Sequence, residues 1–427
     1  MASLHDRLRR LRASTGAMPA PEQPPAADGG QAPPPPTLAE RIRRLSPGRA
    51  DVRVQREPDP AALADSLGAE ITAPGVLRLE RARPLAQRHG RLQPARCVEA
   101  LAGLAAPAGD DPLPDPAGWT FLDTETSGLA GGTGTWAFVC GLARIAGDRL
   151  VIRQYLLTRL DAEADFIEQV ARELTEATLL ISYNGKTFDL PLLATRLRLA
   201  APHRLADALP ADRPHLDLLH PVRRAFASRW PDCRLTTCEQ RLLGLIRTDD
   251  LPGAEAPAAW LDWLRHGDGR RLGPVLRHNR IDLVSLAALV PALAAVQQDP
   301  AGHEADVAAI ARHLVRGGRW ERAREVLAAV GADLDDEAGL LLAALHRRRG
   351  DWSAAVAIWQ RLADRDRTQA IEQLAKYHEH VSGDLAAALA HAGRLPATPE
   401  RERRRARLLE KLAAPDGDLF AGDDAGI

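Results

Sequence analysis

Between Trp119 and Leu218 the apolar segments follow one another in an order that admits few folds. WTFLDTET reads as a buried strand, the Gly-rich GLAGGTG as a turn, TWAFVCGLARI as a second strand, and RLVIRQYLLT after Gly147 and Asp148 as a third. Three strands joined by short turns make an antiparallel meander. Asp161 then opens a helix through Ala177 with Phe166, Ile167, Val170 and Leu174 on one face. The strand TLLISY, a helix from about Phe188 to Leu199 and the strand HLDLL follow. An order of βββαβαβ predicts an α/β class with a mixed sheet flanked by helices on both faces. A last helix carries HNRIDLVSLAALV.

The flanks read differently. Residues 1–50 form a Pro-rich arm: Gly16 to Thr37 is mostly Ala, Pro and Gly, ending in APPPPT, and buries too little apolar surface to offset its chain entropy. Within it, Leu4, Leu8 and Leu11 share a face of a short amphipathic helix, with no apolar stretch of the signal-peptide kind. Residues 51–115 are an extension in which short apolar pieces such as GAEITAPGVLRLE alternate with Pro and Gly, predicting a few strands or an extended flap. The α/β domain is set at 116–297. From 303 to 415 the pattern is all helical, and a phrase recurs at Gly318, Gly350 and Gly383, 32 and 33 residues apart. That period resembles tetratricopeptide repeats, in which stacked helix pairs present a concave surface for a protein partner.

Composition limits the functions open to such a chain. Lys plus Arg number 56 against 57 Asp plus Glu, a net charge of -1, so no global positive field draws it to nucleic acid or membrane, and any such binding is local. Aromatics are 4%, too few for a long series of base-stacking platforms. The four cysteines, Cys97, Cys140, Cys233 and Cys238, are too scattered for a disulfide framework and fit a reducing, cytoplasmic compartment. Cys233 and Cys238 lack the second pair a zinc site requires and read as free thiols. The longest apolar run, Leu283 to Val296, is interrupted by Ser285 and Pro291 and falls short of the ~20 residues that span a bilayer, so no membrane association is expected.

Chemistry points to the acids. In Asp123-Thr124-Glu125 the two carboxylates project from one face of a buried strand while Thr124 points away. Such a pair repels itself unless a positive charge sits between, and a divalent metal with hard oxygen ligands serves. In Tyr183-Asn184-Gly185-Lys186-Thr187-Phe188-Asp189 a strand turns at Gly185 into a helix with Asp189 in its first turn, where a carboxylate also suits the helix dipole. Gly185-Lys186-Thr187 imitates the end of a phosphate-binding loop, but the earlier glycine of that loop is absent. In His278-Asn279-Arg280-Ile281-Asp282 the His and the last Asp are i and i+4 on one helical face, and an N-cap Asp beside a solvated His is the plainer alternative.

The series D-x-E, N-x-x-x-F-D, H-x-x-x-D resembles the DEDD exonuclease branch of the ribonuclease H-like superfamily. The phrases FLDTETSGLAGGTGTWAFVCGLARI, LLISYNGKTFDLPLL, HLDLLHPVRR, RLTTCEQRLLGLIRTDDLPG and RHNRIDLVSLAAL, over about residues 117 to 295, resemble the YprB-type bacterial proteins of that superfamily. A looser likeness reaches upstream to HGR at 89–91 and downstream into the helical repeats. The resemblance implies a ribonuclease H-like fold and a 3′-5′ exonuclease acting on DNA or RNA. Asp123, Glu125, Asp189 and Asp282 would hold two Mg²⁺ or Mn²⁺ ions about 4 Å apart, and His278 would be the general base. The His stands four residues before the last Asp, as the corresponding residue does in the Tyr-type branch, rather than five, which leaves a hydrogen bond to the scissile phosphate as its other role. Asn184 is carried over as a substrate contact, and Asp217 in HLDLL is read as structural.

Two arginine-rich stretches flank these motifs: Arg223, Arg224, Arg229, Arg234, Arg241 and Arg247, then Arg265, Arg270, Arg271, Arg277 and Arg280. They are candidates for tracking phosphates, with Trp230 and Phe226 as candidate stacking surfaces. The alternative from another class is a catalytically inactive nucleic-acid-binding or scaffold protein that acts through its repeats. Endonuclease action would use the same acids.

Overall fold

The computed structural model describes residues 57–105, 115–128 and 132–413, all within one structural unit, Val54–Ile427. The Pro-rich arm, its amphipathic segment and the middle of the GLAGGTG turn lie outside the described residues. Seven strands form one mixed sheet in the order β1-β2-β5-β4-β3-β6-β7. Their ranges are β1 Glu70–Ala73, β2 Val76–Pro84, β3 Trp119–Thr126, β4 Ala137–Ala146, β5 Arg149–Leu157, β6 Leu179–Ser182 and β7 His215–Asp217. The meander β3-β4-β5 pairs antiparallel, and β6 joins β3 in parallel after a crossover through α3 (Glu163–Thr175). β7 then adds in parallel to β6, beyond α4 (Asp189–Ala200).

The extension upstream belongs to this sheet. β2 pairs antiparallel along its whole length with β5, and α1 (Pro60–Leu67) and α2 (Cys97–Ala105) stand on either side of the hairpin in sequence. Of the few strands or extended flap expected over 51–115, the described residues form two sheet strands with two helices. The Pro and Gly that break the strand signal, Pro74 and Gly75, form the turn between β1 and β2, with Gly75 at φ 88°.

Side-chain alternation along β3 divides two cores. Trp119 and Phe121 face one, with α2, α5 (Leu219–Phe226) and most of α7 (Leu272–Gln298). Leu122 faces the other, with α3, α4, α6 (Ala256–His266) and the first turns of α7. The helix α7 has 27 residues and is apolar enough to cross a membrane by length and composition, longer than the broken apolar run suggests. It is a core helix here: 67% of its most apolar window is buried.

Where α7 crosses β4 the contact is backbone to side chain. A Cβ at Gly141 would lie 2.1 Å from Asn279 Oδ1 and 2.8 Å from Leu283 Cδ1, so only glycine lets the helix approach. Asn279 is fully buried and satisfied there, with Oδ1 accepting from Gln154 Nε2 at 2.8 Å.

After α7 come helices only: α8 (Val307–Arg316), α9 (Trp320–Ala328), α10 (Asp336–Arg348), α11 (Trp352–Ala363), α12 (Thr368–Tyr377), α13 (Leu385–Gly393) and α14 (Pro399–Ala413). Each packs on its sequence neighbour. The recurring glycines Gly318, Gly350 and Gly383 have φ of 74°, 81° and 72°, the left-handed conformation that lets one helix stop and the next begin two residues later. Asp351 and Asp384 then cap their helices through the backbone N–H of Ala354 and Ala387.

Gly141→Ala should force α7 off the sheet and cost about 1–3 kcal/mol, measured as a lower urea midpoint with an unchanged m-value.

Candidate functional site

The acids of the D-x-E motif sit where β3 outruns its parallel neighbour. β6 pairs with β3 only as far as Phe121, so the edge of β3 beyond it is open. Asp189, in the first turn of α4, fills that gap: its carboxylate accepts from Thr124 Oγ1 and from backbone N–H groups at Thr124 and its own position. It thus comes in at the open edge of β3 beside Thr124, close enough to repel the Asp123 and Glu125 carboxylates. Gly185 makes the approach possible, since a Cβ there would lie 2.3 Å from Ser182 Oγ and 3.3 Å from Asp189 Oδ2. The Gly-Lys-Thr sequence is a turn built for a carboxylate, with no cradle for phosphate.

Asp123 Oδ2 accepts from Asn279 Nδ2 at 2.7 Å, and the same amide reaches the Asp123 carbonyl at 3.1 Å. Glu125 is buried and has no hydrogen-bond partner among the described residues. Asp282 stands one turn beyond His278 on α7, with His278 Nε2 3.8 Å from its Oδ2. The i, i+4 geometry expected of the H-x-x-x-D motif is therefore present.

Electrostatics ties the four together. Burial pushes the Asp123 and Glu125 carboxyls well above their ordinary range, and repulsion from Asp282, from Asp189 and, for Asp123, from Glu125 adds to it. Burial likewise raises Asp189 to about 6, against the hydrogen bonds from Thr124. Asp282 is raised by burial and held back by Arg247 and His278.

Arg247 was a candidate phosphate contact in the sequence. It is instead fully committed inside the protein. Its Nε and Nη2 donate to Glu239 at 2.7 and 2.6 Å, Nη1 to Asp250 Oδ2 at 2.9 Å, and Nη2 also to Asp282 Oδ1. The guanidinium side chain is 9% exposed and Glu239 1%. Asp250 also takes the Nδ1 proton of His278 at 2.7 Å, because a carboxylate only accepts. That leaves Nε2 as the ring nitrogen that faces Asp282. In Asp250 the effect of burial is outweighed by these bonds from Arg247 and His278, and its pKa is lowered.

Glu239, Asp250 and Asn279 were absent from the candidates, although all lie in the quoted phrases. Glu239 opens a π-helical turn, Glu239–Leu243, that projects it inward, which a regular helical periodicity does not reveal. The HGR segment supports this turn: Arg91 N–H donates to the Leu243 carbonyl at 2.6 Å, and His89 Nε2 lies 2.7 Å from Ser285 Oγ, which bonds Glu239.

Asn184 has φ of 68° and its turn is held by Asp217, whose carboxylate accepts from the N–H of Asn184 at 2.7 Å and Lys186 at 3.0 Å. Asn184 is exposed and lines a cleft of about 590 Å³ with Arg223, Trp230 and Arg234. Trp230 stacks on buried Phe226 with centroids 3.9 Å apart, so Phe226 is unavailable to a base while one face of Trp230 is packed. The thiols of Cys233 and Cys238 are free.

The donor set of four carboxylates matches the hard-oxygen preference of Mg²⁺ or Mn²⁺. Among the described residues, no three His, Cys, Asp or Glu side chains are grouped as a ready ligand set, and one oxygen of Asp282 is occupied by Arg247. The fit is thus one of chemistry and charge: Glu239, Asp250 and Asp282 bond one guanidinium, which also acts on Glu125, while Asp123 and Asp189 have no such counter-charge among their influences.

A model of the ribonuclease H superfamily matches residues 120–294, from the meander through nearly all of α7. YprB of Bacillus subtilis (strain 168), an uncharacterized protein, is 32% identical over 282 residues, covering 63% of this chain and 67% of its own. The chain belongs to the ribonuclease H superfamily, in the family that includes YprB. Membership suggests nuclease-type chemistry on nucleic acid, in a superfamily whose nucleases typically use divalent metal ions.

Arg247→Met would strand Glu239, Asp250 and Asp282 in the interior. Breaking a buried pair of this kind costs about 3–5 kcal/mol, and urea denaturation should show a loss of that size, whereas the exposed Arg229→Met should lie within about 0.5 kcal/mol of the parent.

Proposed function

We propose that the protein is a metal-dependent nuclease of the DEDD type, a 3′-5′ exonuclease on DNA or RNA. What supports this is that Asp123, Glu125, Asp189 and Asp282, from β3, α4 and α7, are buried or half-buried carboxyls raised above their ordinary range, with Asp189 and Asp282 each repelling Asp123 and Glu125. An acid cluster of this kind costs several kcal/mol without a cation, and Arg247 offsets only part of it.

Asp123, Glu125, Asp189 and Asp282 are the residues that would hold Mg²⁺ or Mn²⁺, which when bound supplies an activated water and charge stabilisation at the scissile phosphate. His278, with Nδ1 fixed on Asp250, presents Nε2 as the proton acceptor, and its ring is oriented before substrate arrives. Asn279 and Thr124 hold the Asp123 and Asp189 carboxylates in place. Asn184, at the rim beside Arg223 and Arg234, would meet the nucleotide, and exposed arginines there would take phosphates. The C-terminal helices, tetratricopeptide-like in the recurrence of their glycine turns, would recruit a protein partner.

The reading predicts stepwise shortening of 5′-labelled single-stranded DNA or RNA from the 3′ end with Mn²⁺ or Mg²⁺. Asp123→Asn and Asp282→Asn should each lower the rate more than about 100-fold. Binding without cleavage under both metals would instead favour the inactive scaffold, in which Arg247 serves as the permanent counter-charge.

A separate test needs no substrate. With its folded pKa raised to about 6, Asp189 contributes stability that is intact below the ordinary aspartate value of 3.8 and is lost as pH rises through about 6. Mn²⁺ should therefore raise the melting temperature more at pH 8 than at pH 5, and Asp189→Asn should shrink that difference.

A further inference from the structure

Several arginines packed into the protein are paired with acids: Arg247 as above, Arg196 with Glu163, and half-buried Arg153 with Glu173. Others, such as Arg280, lack one among the described residues, and several cations without an acid gather at one cavity. A cavity of about 380 Å³ lies between α5, the end of α7 and α8, with Pro221, Leu293, Ile310 and Leu314 among its apolar walls. Arg224, His313 and Arg319 line it, and Arg316 stands close enough to repel the first two. Among the described residues, none of these four side chains has a hydrogen bond or an ion pair, and Arg319 Nε is fully buried without a partner. Arg322, the remaining cation of the lining, is already spent on Glu325 and on the carbonyls of Gln297 and Gln298.

The electrostatics agrees with the geometry. Burial, with repulsion from Arg316 and Arg319, lowers Arg224, and burial with repulsion from Arg224, Arg319 and Arg316 pushes His313 down to about 4. No carboxylate appears among the influences on either group. Gathered, half-buried and unpaired guanidinium groups raise the free energy of a protein unless an anion joins them. Planar forks of N–H donors suit phosphate oxygens, which take several such bonds at once. The apolar walls leave room for an organic body beside the charged group, and the volume lies within the ordinary range for small-molecule sites, roughly 300–1,000 Å³.

We propose that this cavity is a binding site for a phosphorylated ligand of nucleotide size, its phosphate held by Arg224 and Arg319 and its apolar part against α7 and α8. The site is independent of the acid cluster and of the nuclease reading. It joins the helix that follows β7 to the first helix of the C-terminal module, so its occupant would tie the two together. The phosphate is the shared chemistry, and it could belong to a free nucleotide or to the end of a nucleic-acid strand.

The test is isothermal titration of the full chain, in EDTA so that no metal bridges phosphate to the acids, with adenosine 5′-diphosphate and with a 5′-phosphorylated single-stranded oligonucleotide. One-to-one binding is expected for at least one probe, weakening as salt rises. Arg224→Gln and Arg319→Gln should each weaken it about tenfold or more, Arg224→Lys less so, and Asp123→Asn should leave it unchanged. Whichever probe shows this pattern identifies the source of the phosphate. Failure of both probes to saturate, or binding that both glutamine variants retain, overturns the proposal. So would a lower melting temperature of unliganded Arg224→Gln at low salt, because relief of unpaired repulsion should raise it.

Discussion

The structure turns on the uneven ends of two parallel strands. β3 continues past Phe121 after β6 has stopped at Ser182, leaving backbone donors open inside an α/β protein. An orphaned N–H in such a place is costly, and the chain answers with the Asp189 carboxylate from the next helix. A buried negative charge then stands beside a strand that already carries Asp123 and Glu125, and α7 brings Asp282 against them. Hydrogen bonding of one strand edge and accumulation of charge are the same event. Asn279, itself held by Gln154, bonds Asp123, and Arg247, anchored on Glu239, offsets part of the charge at Asp282.

The sequence carried the meander, the crossover helices and the strand that follows them because each is an apolar segment with its own period, closed by Gly, Pro or a charged cap. It carried the glycine turns of the C-terminal helices for a related reason: a left-handed φ admits few residues, so the turn repeats its residue as well as its spacing. The β1-β2 hairpin was not legible as part of the sheet, since antiparallel pairing of β2 with β5, more than sixty residues away, leaves no local mark. The acids were legible as motifs, but their partners were not. Arg247 looks like any arginine of a basic stretch until Glu239, Asp250 and Asp282 are seen around it. Asp189 reaches the cluster at the open edge of β3 beside Thr124, a detail that alternation along β3 alone does not supply.

The HGR segment shows how far the site extends beyond its carboxylates. Gly90 lies where a Cβ would fall 2.1 Å from the Leu243 carbonyl, so the segment can lie flat against the π-helical turn. His89, lowered to about 4 by burial and by Arg83 and Arg247, is neutral at pH 7 and donates from Nε2 to Ser285 Oγ, whose own proton goes to Glu239, without adding charge. Ser285 in turn bonds Glu239, Glu239 holds Arg247, and Arg247 holds Asp282. Every link but the last is remote from the D-x-E strand. The upstream extension therefore bears on Asp282 through four side chains, and a domain cut at residue 116 would remove both the β1-β2 hairpin and the first member of that series. The smallest unit able to set Asp282 in place begins before His89, with the two strands that complete the sheet.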